Sequence, residues 1–450
     1  MAVNGEELLE RIRGRAEQVE VFTASSDVAE VRWQNGAVKG AVARESSGVA
    51  VRAIAGGRIG FSGSRDLSPR GLERLVEHVE SSLAVGDPAR ARIRFPGAQP
   101  PAVGEGELRG HDAATAALGI PDLVALGNEV LARLVQRHPG IVFDASARRS
   151  QGVHALVNSA GARLEERGTS VSIGVEANRT RDEDVLMDYA WVGASARAAL
   201  DPAALVEQLS QRLTWAAGTV PLRPGRMPVL FDPEGSLVLW SPLLAALGGR
   251  CVMHGTSPLR ERVGQAVLDE RVTLVDDPLL PGALGSSRWD DEGLPRRRTP
   301  LIERGVLRSF VHDLESAEGT GQAPTGHGER GGVLGQPGPG FTNLVVDPGT
   351  RTAEEMIAGI EYGLLVHSVI GMGQGNTLPG TFSNPVDVAY LIEGGRVVGR
   401  VKDVSIAGNV YQLLGKDHLA GFSRETRPVY GSMFLPWVRI DGVNVVGKGT

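Results

Sequence analysis

The alternation of apolar and polar positions predicts two kinds of element in the first half of the chain. Apolar residues recur at helical spacing over residues 6–19, 70–83, 121–137 and 202–216. Short runs of alternating polarity, several of them rich in valine, predict strands at 19–24, 29–33, 38–44, 48–53, 58–62, 141–147, 152–158, 162–177 and 185–192. The Asn35-Gly36 and Gly56-Gly57 pairs are typical of tight hairpin turns. A helix, an antiparallel meander and a closing helix therefore occur twice.

We interpret residues 1–220 as one α+β domain that contains two repeats, at about 1–90 and 120–220. Residues 96–107 are rich in Pro, Gly and Ala and predict an exposed linker between the repeats. The alternative is a coincidence of ordinary elements, because the two copies share little sequence identity.

Residues 221–450 predict a second, mostly β domain with buried helices. Residues 227–231 form an apolar strand candidate, and Asp232-Pro233-Glu234 has the features of a helix start. The following stretch, 237–247, is apolar nearly all round and predicts a buried helix, which Pro242 would kink or split. Further strands are predicted at 300–303, 306–312, 341–346, 385–393, 396–404, 431–440 and 443–446, and a helix at 352–361.

A long charged loop connects elements of this second domain. Residues 275–306 contain six carboxylates and five arginines, and four glycines and four prolines exclude a long helix or a central strand. Its leucines and Trp289 are apolar anchors that favour an ordered wall of a cleft. A solvated charged connector is an equally good interpretation of this stretch alone.

Composition limits the class of protein. A chain of 450 residues with 42% hydrophobic and 22% charged residues is typical of a globular protein with two large domains or three small ones. The net charge of -6 and the scattered arginines give no electrostatic footprint for nucleic acid. Cys251 is the only cysteine, so the chain forms no internal disulfide. With neither a secretory signal pattern nor an apolar run of membrane-spanning length, we predict a cytoplasmic protein without a membrane partner.

The common catalytic motifs are missing from the sequence. No His-Glu-x-x-His pair is present, and the segments around His312 and His327 are the nearest approaches to one. No Gly-x-Ser-x-Gly elbow occurs, and residues 371–376 resemble a nucleotide loop without its lysine. Thr325-Gly326-His327-Gly328 could let backbone amides approach a peptide or an anion, although a flexible glycine loop explains it as well.

Five motifs taken in order resemble the TldD/PmbA family, also called modulators of DNA gyrase. They are LFDPEG at 230–235, AALGGR at 245–250, the charged segment at 272–307, PTGHG at 324–328 and AYLIEGGRVVGRVKDVSIAGNV at 389–410. The resemblance implies a heterodimeric zinc-dependent peptidase. In that family the TldD-type subunit carries a His-Glu-x-x-x-His helix and a later cysteine ligand, and the PmbA-type (TldE) subunit lacks them.

The chain departs from the TldD pattern at the metal ligands. Leu239, Trp240 and Leu244 stand roughly where His, Glu and His would fall, and Tyr430 stands about where the cysteine would. The resemblance therefore implies the TldE-like subunit, with no catalytic residue and no cofactor of its own, and with zinc on a TldD-type partner that acts on short or unfolded peptides. The alternative is a stand-alone homodimer that binds or processes peptides or natural products without zinc.

The acidic turn is the candidate site. We predict that Asp290, Asp291, Glu292 and Gly293, together with Gly326 and His327, line the peptide cavity or the subunit interface. Three adjacent carboxylates repel one another unless cations compensate, and Arg288, Arg296, Arg297 and Arg298 are close in sequence. The alternative is a purely structural ion-pair network that orders the loop.

Overall fold

The fold consists of two β-sheets with helices packed on them. The structure is a computed structural model that describes residues 4–85, 93–182 and 184–447. The helices are α1 (Gly5–Arg13), α2 (Pro69–Val85), α3 (Glu105–Leu108), α4 (Ala113–Ala116), α5 (Ile120–Arg137), α6 (Pro202–Trp215), α7 (Leu237–Leu247), α8 (Gly249–Met253), α9 (Leu314–Thr320), α10 (Ala353–Ala358) and α11 (Val410–Leu413).

The strands follow in the same chain order. They are β1 (Gln18–Gln34), β2 (Ala37–Ala55), β3 (Arg58–Ser64), β4 (Val142–Asn158), β5 (Arg163–Arg181), β6 (Asp184–Ala194), β7 (Gly225–Phe231), β8 (Leu274–Asp276), β9 (Thr299–Glu303), β10 (Val306–Leu307), β11 (Gly328–Arg330), β12 (Pro337–Pro339), β13 (Leu344–Val346), β14 (Tyr362–Val369), β15 (Thr381–Glu393), β16 (Arg396–Val401), β17 (Val404–Asn409), β18 (Leu419–Val429) and β19 (Met433–Gly447).

The first sheet is antiparallel, with six strands in the order β3-β2-β1-β4-β5-β6. Side chains of its long strands pack into two separate apolar cores. Near the start of β1, Val19 and Val21 pack with α1 and α2, whereas Val31 and Trp33 near its end pack with α5. The order of helix, three strands and helix therefore occurs twice about the central β1–β4 pair.

Several strand bounds predicted from the sequence are wrong, because the strands are longer and more continuous than predicted. The four predicted runs between 19 and 53 are two continuous strands, β1 and β2, and the runs at 141–147 and 152–158 are the single strand β4. Polar residues in the middle of β1 do not break it, because they still pair across the sheet: Ser26 Oγ lies 2.8 Å from Ser46 Oγ. The first helix ends at Arg13 instead of residue 19, since Val19 already belongs to the buried strand.

The second sheet has eleven strands, of which five close into a barrel. β7 pairs with β14 in parallel and with β19 in antiparallel orientation, and the path β19-β17-β15-β14-β7 thus returns to its start. Helix α7 is buried in the same apolar core as the barrel strands. The predicted α+β fold, with an antiparallel first domain and a mostly β second domain with a buried helix, is confirmed.

The start of α7 differs from its prediction. Asp232 does not cap a helix: its Oδ1 accepts a hydrogen bond from Gly235 N at 2.8 Å and closes a tight turn, and α7 begins only at Leu237. Pro242 lies inside α7 without ending it. The sequence patterns did not predict strands β8, β11, β12, β14 and β18 or helices α3, α4, α8, α9 and α11.

The domain bounds 1–220 and 221–450, and the two proposed repeats, stay predictions. Within residues 4–85, 93–182 and 184–447, no helix is long and apolar enough to cross a membrane.

Candidate functional site

A cleft of about 530 Å³ separates the first sheet from the charged loop of the second domain. One wall consists of β1, β4 and β5, and the other of residues 283–296 and 329–342. The charged and aromatic side chains that line it are Phe22, His154, Glu166, Arg167, Trp289, Asp291, Arg296, Glu329, Arg330 and Phe341. Serine, threonine and glycine residues fill much of the rest, so backbone groups and hydroxyls are close to the cleft.

Asp291 is the residue of the acidic turn that lines this cleft. Its backbone N donates to Gly328 O at 2.8 Å, and its Oδ2 accepts from Arg330 N at 2.8 Å. No described residue donates a hydrogen bond to Oδ1. Burial raises the pKa of Asp291, while the Arg330 N–H and the nearby guanidinium groups oppose that shift.

Asp290 lies behind Asp291 and holds the turn in shape. Its Oδ1 accepts from the backbone N of Glu292 at 3.0 Å and of Leu294 at 2.8 Å, and its Oδ2 accepts from Gly328 N at 2.9 Å. Gly293 completes the turn with φ of +90°, a left-handed conformation that favours glycine. Asp290 is therefore a structural member of the turn.

Glu292 joins the turn to the first sheet. It is fully buried, and its Oε1 accepts from Arg52 Nη1 of β2 at 2.7 Å, while its Oε2 accepts from Leu314 N at 2.6 Å. Burial raises the pKa of Glu292 to about 7, against the opposing charge of Arg52. The carboxylates of Asp290 and Asp313 add to the rise.

Gly326 and His327 lie behind the cleft. Gly326 has φ of +75°, and its carbonyl oxygen accepts from Arg296 Nη1 at 3.0 Å. His327 is fully buried, its Nδ1 lies 2.9 Å from Thr325 Oγ1, and its Nε2 lies 3.3 Å from a carboxylate oxygen of Asp276. The structure thus brings the six candidate residues into one region but places only Asp291 against the cleft.

The arginines that compensate the acidic turn are partly different from those expected. Arg297 and Arg298 are exposed, and Arg288 pairs with Glu166 of β5 at 3.0 Å. Arg296 is the sequence neighbour that most strongly offsets the charge of Asp290. The other main compensating cation, Arg52, is on a strand of the first sheet.

Sequence reasoning missed the residues of the first sheet that form this site. Arg52 bridges Glu20 and Glu292, and Glu20 also accepts from Arg330 Nη2 at 2.5 Å. The sequence does contain a signal for these two residues, because Glu20 and Arg52 are single charges inside the apolar runs VEVF and VAVRAIA. A charge inside a buried strand needs a buried partner.

The residues at the family's metal positions do not fit a zinc ion. Leu239 and Trp240 are 0% and 1% exposed, and the indole Nε1 of Trp240 donates to Ser236 Oγ at 3.1 Å inside its own helix. Leu244 packs against the same core, and Tyr430 is 63% exposed. Leucine and tryptophan side chains offer no ligand atom, because zinc is bound by Cys, His and carboxylate groups.

Fold and site together define an α+β protein with two large β-sheets and a charged cleft between the first sheet and the charged loop. Sequence models of one family match most of the chain: PmbA/TldA metallopeptidase domain 1 at residues 19–83, the central domain at 114–217 and the C-terminal domain at 224–447. The chain belongs to the PmbA/TldD metallopeptidase family.

Three relatives illustrate the range of similarity. The Escherichia coli O157:H7 metalloprotease PmbA is 25% identical over 96% of this chain and 94% of its own. A Methanocaldococcus jannaschii metalloprotease is 31% identical, but the match covers only 44% of this chain and 43% of that relative, so the chain spans less than half of its length. The crystal structure of TldE from Thermococcus kodakarensis superposes with a TM-score of 0.90 at 25% identity over 98% of this chain and 99% of that one.

Proposed function

We propose that this chain is the subunit without metal ligands in a two-subunit TldD/TldE-type zinc peptidase. The observation that carries the proposal is the apolar character of α7 at the family's ligand positions, in a chain that resembles a TldE over nearly its whole length. In this arrangement the zinc and the activated water belong to a TldD-type partner. The single cysteine agrees with a cytoplasmic location.

The cleft fits a peptide in its chemistry. Its described charged residues carry both signs, so the ends of a short zwitterionic peptide can be matched. Asp291 Oδ1 offers an acceptor, and Trp289 Nε1 is a donor with no hydrogen-bond partner among the described residues. We assign to this cleft the binding of a short or unfolded peptide that the partner cleaves.

The first experiment compares the purified chain with the pair reconstituted from this chain and a TldD-type subunit. We expect chelator-sensitive hydrolysis of short peptides or casein only with the pair, and elemental analysis of the desalted chain alone should give substoichiometric zinc. Chelator-sensitive cleavage by this chain alone, or one tightly held zinc per chain, would contradict the proposal and favour a stand-alone enzyme.

The second experiment tests Asp291. Asp291→Asn keeps the size and the acceptor for Arg330 N but removes the charge that faces the cleft. We expect the peptidase activity of the reconstituted pair to fall about tenfold, through the loss of one charge-assisted hydrogen bond, with assembly and Tm unchanged. Asp277→Asn is the control, because Asp277 belongs to the same loop but does not line the cleft. Equal activities of the two variants would remove Asp291 from the binding site.

A further inference from the structure

A second cavity, of about 220 Å³, lies where the outer strand β6 meets the barrel. It shares no lining residue with the peptide cleft. The wall between them includes Leu284, whose N donates to Gly431 O at 3.3 Å, and the ring of Trp191, which would be 3.2 Å from a Cβ on Gly431.

A buried ion-pair network forms the floor of this cavity. His367 Nδ1 lies 2.5 Å from Asp232 Oδ2, and its Nε2 lies 3.5 Å from Asp188 Oδ1. Asp188 is held in turn by Arg212, whose Nε and Nη2 donate to it at 2.9 and 3.0 Å. Burial and Arg212 would lower the pKa of His367, but Asp232 and Asp188 outweigh them and raise it to about 10. The imidazole is therefore a cation with both N–H groups engaged.

Glu234 stands beside this network without a partner. Its carboxylate lies within 4.8 Å of the nearest ligand atoms of Asp232 and His367. Its Oε2 is shielded from solvent and has no hydrogen-bond partner among the described residues. A buried acceptor left unsatisfied costs about 1–3 kcal/mol, and more when it is charged, so the position calls for a donor from outside the chain.

The backbone fixes Glu234 in this position. Gly235 is pressed against β14, since a Cβ on it would lie 2.2 Å from Val366 O. The side chain of Asp232 closes the same turn through Gly235 N. The backbone of Glu234 is therefore held at the edge of the cavity, and its side chain can still turn its carboxylate towards a ligand.

The rim is aromatic and acidic. Tyr189 is 47% exposed and Tyr430 63% exposed, and Trp191 lies beside them. Asp387 and Glu176 also line the cavity, and its described lining includes no lysine or arginine. In and beneath the cavity, three carboxylates interact with two cations. The carboxylates belong to Asp188, Asp232 and Glu234, and the cations are Arg212 and His367. The cavity therefore has an excess of negative charge surrounded by rings that attract cations.

We propose that this cavity binds an ammonium group, supplied by a lysine side chain or by the amino terminus of a peptide. The ammonium donates to the Glu234 carboxylate, and the rings of Tyr189, Trp191 and Tyr430 surround the carbon atoms that carry it. A divalent metal ion is the weaker occupant, because it would have to replace the proton that His367 shares with Asp232.

Calorimetric titration of the whole chain tests the proposal with four probes. N-acetyl-lysine amide is compared with N-acetyl-norleucine amide, which lacks the ammonium, and glycyl-leucine amide with its N-acetylated form. We expect only ammonium probes to bind, and the two pairs distinguish a lysine side chain from a chain terminus. Glu234→Gln should weaken binding by about tenfold or more, the effect of losing a charge-assisted hydrogen bond.

Two sets of variants act as controls. Glu354→Gln makes the same charge change on the exposed surface of α10 and should leave binding unchanged. Tyr430→Phe should keep the affinity for the ammonium probes, and Tyr430→Leu should lower it. Because Tyr430 is exposed, these two variants test the proposal even if Glu234→Gln does not fold. Equal binding of the norleucine probe, normal affinity in Glu234→Gln, or a zinc or manganese ion that binds here and is lost in Glu234→Gln would overturn the proposal.

Discussion

Asp291 and Glu292 are adjacent carboxylates with different surroundings. Asp291 faces the cleft and has one oxygen without a described donor, whereas Glu292 has both oxygens engaged by Arg52 and Leu314 N. The sequence alone does not separate them, since both partners of Glu292 come from distant parts of the chain. The proposed ligand-binding role therefore concerns Asp291, whereas Glu292 joins the charged loop to the first sheet.

Replacing Glu292 should mainly affect stability. Breaking a buried pair costs about 3–5 kcal/mol, and because Glu20 still holds Arg52, we expect Glu292→Ala to lose about 3 kcal/mol in urea unfolding. The control is Glu303→Ala, which removes a surface pair with Arg308 and should change stability by less than about 1 kcal/mol. A Glu292 variant as stable as the control would show that the pair does not hold the domains together.

For helices and strands, sequence patterns that act over a few residues predicted the elements, whereas features that depend on contacts between distant parts of the chain could not be predicted. The helical spacing of apolar residues over 70–83, 121–137 and 202–216 predicted α2, α5 and α6, because apolar periodicity acts within a few residues. The length of β1 could not be predicted, because the polar residues at its centre are held by partners on β2 and β4. The contribution of the first sheet to the site was missed for the same reason: Arg52 and Glu292 are 240 residues apart.

Helix α5 offers a test of such a distant contact. Alanine normally stabilises a helix relative to glycine by about 1 kcal/mol. In α5, however, a Cβ on Gly127 would lie 2.2 Å from the ring of Trp33 in β1. We expect Gly127→Ala to destabilise the protein by about 1–3 kcal/mol in thermal or urea unfolding, as overpacking does. Ser81→Ala on the exposed face of α2 is the control, and a gain of stability in Gly127→Ala would contradict this packing.

Over the whole molecule, ion pairs link the first sheet to the second domain, and among the described residues two of these links are fully buried on both sides. Arg52 and Arg330 connect the turn at 290–293 and β11 with β1 and β2. Arg212 and Asp188 connect α6 and β6 with His367 of β14. Glu292 in the first link and His367 in the second have pKa values that the fold raises to about 7 and about 10, so the stability of the whole chain depends on pH.

We expect the free energy of unfolding to decrease as the pH rises. The fold raises the pKa of Glu292 from 4.5 to about 7 and that of His367 from 6.5 to about 10. Between the unfolded and the folded pKa of each group, the folded state therefore binds more protons than the unfolded state. Their contributions are fully present below pH 4.5 and 6.5, respectively, and are lost as pH rises through about 7 and about 10.

Urea unfolding in steps from pH 4.5 to 10 measures both contributions, and two variants separate them. Glu292→Gln should make the profile of unfolding free energy less steep below pH 7, where Asp290 and Asp291 with their raised pKa values still contribute, and should leave the upper part unchanged. His367→Asn should flatten it between pH 6.5 and 10, even though it also lowers stability at every pH by leaving Asp188 and Asp232 without their shared cation. A His367→Asn profile that falls as steeply as that of the parent protein across this upper range would show that the imidazole does not hold its proton between the two carboxylates.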